Sequence, residues 1–213
     1  MRHHRRIERQ AGTPDDQPPS IADAVGGPFG LVETSLPPVA FVVAYTASGS
    51  DTRIAVGVAV ALSVVLGAIR IVRRESVSLT IAGLVGVGFA AFIATRSGRA
   101  ENFFLPGLLA NAGYAAAFLV SIAVGRPLVG IILGSVRGEH GGWREDRARR
   151  IVYTRATWLW VALFLVRLAV QLPLYLAGAV VALGVARTAM GLPLFALGIW
   201  LTWRMVHREH SPS

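Results

Sequence analysis

The chain has 213 residues, of which 54% are hydrophobic and only 15% charged, and its mean hydropathy is +0.55. A water-soluble domain cannot cover itself with so little polar surface, so this composition excludes that class and makes the bilayer the natural solvent. The absence of cysteine removes disulfides, thiolate nucleophiles and cysteine-ligated metals, while the net charge of +9 would suit a nucleic-acid binder only if the arginines gathered on one polar surface.

Residues 1–28 are basic at the start and rich in proline, aspartate and serine further on, too polar to bury a core, and predict a disordered tail. The basic start imitates a signal peptide, but Gly12 to Ser20 stands where an apolar run should follow and no cleavage site is visible, so the tail is expected to be retained. Residues 29–206 then read as one all-α, polytopic transmembrane bundle. Crossing about 30 Å of hydrocarbon takes roughly 20 apolar residues, and six stretches qualify. They run from about Leu31 to Ala47, Ile54 to Val72, Val77 to Thr95, Phe103 to Val124, Thr157 to Ala177, and Val180 to Met205. Arg126-Pro127 opens a leftover apolar piece that ends at Val136; it is too short to span and predicts an interfacial or re-entrant helix, the proline suiting a first turn. Residues 207–213 form a short tail.

The arginines decide the orientation. With the N-terminus in the cytoplasm, sixteen lie in inner segments and four (Arg53, Arg96, Arg99, Arg187) in outer ones, leaving Arg167 unassigned. This is the asymmetry of the positive-inside rule, and it puts both termini of a six-span protein of the cell membrane in the cytoplasm. The positive charge is therefore topological, and nucleic acid is not expected as a partner. The lipid bilayer is, together with anionic headgroups at the cytoplasmic face, where the loop Arg137 to Arg155 carries six arginines against Glu139, Glu145 and Asp146.

Within the spans, polar groups are few. All five histidines fall in tails or the inner loop, and all twelve carboxylates lie outside the spans or near their ends, so a proton relay at membrane depth is lacking and no metal or cofactor is expected. Arg167 is the informative exception, about ten positions into the fifth span, where a guanidinium costs about 2.5–3.5 kcal/mol or more. It should face the interior with Gln171, one helical turn on. Two readings compete: a clamp on backbone carbonyls freed where Pro37-Pro38, Pro106 or Pro173 interrupts a helix, which is favoured, or a site for an anion or lipid headgroup. Asn111 and Tyr114, three apart on the fourth span, can point toward the same stripe, and Arg187 is shallow enough to snorkel outward.

The five tryptophans, Trp143, Trp158, Trp160, Trp200 and Trp203, sit near the inner boundary and read as an interfacial belt. Gly86, Ala90 and Ala94, and Gly130, Gly134 and Gly138, have the four-residue spacing of close helix packing, within the chain or between copies. Leu36-Pro37 with Tyr45 repeats the spacing of Leu105-Pro106 with Tyr114, a faint signal of an inverted repeat.

Ser35-Leu36-Pro37-Pro38 leading to Tyr45, Arg126-Pro127-Leu128-Val129 ending in Leu133-Gly134, and the final helix pair resemble an actinobacterial membrane-protein family of uncharacterised role. More distantly, residues 31–206 are similar to the intracellular septation protein A, or inner-membrane-spanning, family, although Arg167 stands where that family has an apolar residue. The resemblance implies an envelope or cell-division scaffold without catalysis, with envelope proteins or a second copy as partners. No nucleophile elbow, phosphate loop or paired carboxylates contradict that expectation of a non-enzyme. The alternative is a small transporter or channel for an anion or lipid around Arg167 and Gln171.

Overall fold

A computed structural model describes residues 27–74, 77–136 and 146–207. Residues 1–26 of the predicted N-terminal tail, with His3 and His4, lie outside the described residues, as do His140, His210, Trp143, Gly138 and residues 137–145 of the basic loop, whereas Gly27 and Pro28, counted with the tail, belong to the first helix. Every regular element among those described is helical.

Helix α1, Gly27–Ala47, continues through Pro37 and Pro38, which supply no N–H to the carbonyls one turn earlier. Asp51 then starts α2, Thr52–Val72, by accepting from the backbone N–H groups of Arg53 and Ile54. Helix α3, Val77–Ser97, packs on α2 through small residues: Ala55 and Ala59 on one side, Ala90, Ala91 and Ala94 on the other, all buried. Ala90 and Ala94 thus serve intrachain packing, whereas Gly86 faces open space.

A 3₁₀ turn, Ala100–Phe104, leads into α4, Leu105–Ala123, with Pro106 in its first turn, where its missing N–H is harmless. Pro106 therefore interrupts nothing, and because Pro37 lies in mid-helix the two Leu-Pro pairs are not structurally equivalent. Gly125, at φ +71°, ends α4: its N–H donates to the Ile122 carbonyl and that of Arg126 to the Ser121 carbonyl.

Helix α5, Leu128–Val136, has nine residues, about 14 Å, and does not span. Pro127 is fully buried, Arg126 exposed, and the Leu128 N–H donates to Ser121 Oγ, which folds α5 back against α6. Gly130 and Gly134 are buried on it.

Helix α6, Arg147–Leu176, has 30 residues and starts about ten earlier than the apolar pattern indicates. Asp146 caps it, and the arginines between 147 and 155 are good helix formers with no breaker among them, so the helix runs on beyond the hydrocarbon. The last predicted span is split into α7, Val180–Ala189, and α8, Leu192–His207. Helix α6 is the hub, packing on α4, α5, α7 and α8, while α1 rests on α2 and α7.

Among the described residues five helical stretches are long and apolar enough to cross a membrane, and the first predicted span is represented by a shorter apolar part of α1, Ser35–Ala47. In each of the five apolar windows less than a third is buried, 28% at most. Valines, leucines and phenylalanines such as Val65, Phe92, Leu109 and Val185 point outward instead of into a core. Such a surface is stable only in lipid tails.

Candidate functional site

A stacked group of rings closes the bundle at the end where α1 and α6 finish and α4 and α7 begin. Phe41 stacks on Phe103 at 4.1 Å between centroids and meets Phe104 edge-on at 5.6 Å. Outside this layer the buried Asn102 accepts from Tyr175 Oη at 2.6 Å and donates to Ser97 Oγ, and Arg99 pairs with Glu101 at 2.7 Å. Farther along the axis, Trp160, Phe164 and Phe195 make a second ring group, with Trp160 Nε1 donating to Thr202 Oγ1. Trp160 is thus a packing residue rather than part of an interfacial belt, while Trp158, Trp200 and Trp203 are exposed as a belt requires.

Between the two aromatic groups lies a cavity of about 320 Å³. Its polar lining comes from four helices: Ser35 of α1, Asn111 of α4, Arg167 and Gln171 of α6, and Arg187 and Thr188 of α7. Arg167 is nine residues from the end of α6 and Arg187 seven from the start of α7, which sets the cavity roughly 10–14 Å below that end, near mid-depth. Ser35 and Pro38 of α1 form the facing wall.

Arg167 Nη2 donates to the carbonyl of Gly191, in the turn that splits the last span. The favoured clamp is therefore present, but on a carbonyl beside Pro193 and not on those freed by Pro37-Pro38, Pro106 or Pro173. The remaining N–H groups of Arg167 reach the cavity. Gln171 is 2% exposed and lines the cavity.

Arg187 does not snorkel outward. Its guanidinium lies 5.8 Å over the Phe104 ring and so close to Gly107 that a Cβ there would overlap Nη1. It sits near enough to Arg167 for the two charges to repel. Among the described residues no carboxylate lines the cavity. Tyr114 lies outside it, exposed at the helix surface and tilted over Phe164 at 5.4 Å. Three residues from Asn111 is 300° of helical turn, and the offset suffices to send Tyr114 to the lipid side.

The site missed from sequence is thus Arg187, and a signal was present. Gly191-Leu192-Pro193 interrupts an apolar stretch four residues beyond it, and a broken span beside a charge marks intramembrane sites. Described residues hold no group of three potential metal ligands.

Apolar helices with apolar outer faces, enclosing two guanidiniums at mid-depth, define a multi-pass α-helical membrane protein with a polar cavity in its interior. Residues 25–213 match the model of a family described as a protein of unknown function, DUF3159, and the chain belongs to that family. No curated protein and no solved structure matches the chain.

Proposed function

We propose that the protein binds an anion at mid-membrane and carries it across, with Arg187 and Arg167 supplying the charge and Asn111 and Gln171 further donors. One observation carries this reading: two guanidiniums share a cavity that no described carboxylate lines. Charges at this depth are expensive unless compensated, and an anionic ligand is the compensation that the lining lacks. The split of the last span at the site supports transport over static binding, since discontinuous helices place backbone polar groups around intramembrane substrates. We place the protein in the cell membrane with both termini cytoplasmic, bathed by anionic headgroups on that face, and assign it no catalysis.

The test is uptake of labelled sulfate and, in parallel, of labelled chloride into liposomes holding the full chain. Uptake above that of empty liposomes is expected, falling at least tenfold in Arg187→Ala. No uptake by the folded wild type, or uptake unchanged by the substitution, overturns the proposal. In that event the cell-envelope or septation scaffold suggested by the resemblance of residues 31–206 becomes the better reading, since it requires no ligand in the cavity.

A further inference from the structure

Resting on the anion reading, we infer that the ligand is a divalent oxyanion, such as a sulfate, phosphate or dicarboxylate group, and not a halide. Volume is the first reason. About 320 Å³ lies at the small end of organic ligand sites, so a polyatomic anion fits with room for accompanying waters.

Donor placement is the second. The polar groups come from four helices, so a spherical ion held by one guanidinium leaves the other donors without an acceptor. A group with several oxygens spaced around a centre satisfies them together, and a guanidinium fork matches two such oxygens at once. Arg187 is the fork best placed to do this. The Phe104 ring lies 5.8 Å from it, and the lack of a side chain at Gly107 leaves room for its nitrogens beside the cavity. Arg167 has one nitrogen committed to the Gly191 carbonyl and offers the rest. Gln171, buried and lining the same space, adds an amide.

Charge is the third. Two like charges share the cavity, and a monovalent ion leaves one of them unbalanced. Two negative charges on one ligand neutralise both.

Calorimetry on the detergent-purified full chain, at matched ionic strength, tests this with sulfate, nitrate and chloride. Sulfate is expected to bind at least tenfold more tightly than nitrate or chloride. Arg187→Lys, which keeps the charge but not the fork, is expected to lower that ratio at least fivefold while the protein stays monodisperse and melts as the wild type does. Chloride binding as tightly as sulfate overturns the inference and leaves the anion reading standing, whereas binding of no anion removes both. An unchanged ratio in Arg187→Lys also overturns it. Adding phosphatidic acid, whose phosphomonoester can carry two charges, in mixed micelles separates two sources of the same chemistry: competition with sulfate assigns the site to a lipid headgroup, and its absence to a free anion.

Discussion

Arg187 and Gly107 show how much one hydrogen atom in place of a methyl group can decide. The guanidinium occupies the space that a side chain at position 107 would fill, and Phe104 blocks retreat on the ring side. Gly107→Ala should therefore push the end of Arg187 out of register with the cavity without unfolding the helix, because alanine is the better helix former and the displaced atoms end a flexible chain. Sulfate affinity is expected to fall at least tenfold and the melting temperature to stay within about 3 °C, read by calorimetry and thermal unfolding. Unchanged affinity would show that the position of Arg187 is irrelevant to binding. At this scale the sequence was partly legible. Arg167 and Gln171 could be found because an i, i+4 pair in an apolar span has one interpretation, a shared inward face. Arg187 could not be found by counting from the end of its span, since depth in sequence does not say whether a side chain points to lipid or to the bundle. Tyr114 failed for the same reason, because spacing constrains the angle between two residues but not the direction they share.

Among the elements, the split last span sets what the site can do. Pro193 gives no N–H to the Ala189 carbonyl, and the chain passes through the turn at Met190 and Gly191 before α8 begins. That turn presents the Gly191 carbonyl to Arg167, so the break and the clamp are one feature. Pro193→Ala restores the missing donor and should let α7 and α8 join. The expected result is a higher melting temperature together with sulfate uptake reduced at least threefold, measured on the same purified protein in detergent and in liposomes. Uptake equal to that of the wild type would show that the split is not needed for transport. Element existence was legible throughout, because apolar stretches of about 20 residues between arginines admit few interpretations. The split was not, since Gly and Pro are tolerated inside membrane helices and do not by themselves end one. The early start of α6 was hidden too, because hydropathy reports the buried part of a helix and is silent on a polar extension.

Across the whole molecule, the interior position of Arg187 alters the charge asymmetry. Counted as an outer loop residue it weakens the positive-inside signal; counted with Arg167 as part of the cavity, it leaves Arg53, Arg96 and Arg99 as the outer arginines against sixteen inner ones. The rule concerns charges in loops and near helix ends, so an arginine held inside the bundle has no part in it. Both ends of the chain should then lie on the cytoplasmic face, which requires α1 to cross although its described apolar part, Ser35–Ala47, is short. Paired reporters on each terminus, one active only in the cytoplasm and one only outside it, check this. Cytoplasmic signals from both ends are expected. Signals from opposite faces would mean an odd number of crossings, with α1 failing to span; Ser35 and Pro38 would then no longer wall the cavity at mid-depth, and the anion site would lose one of its sides.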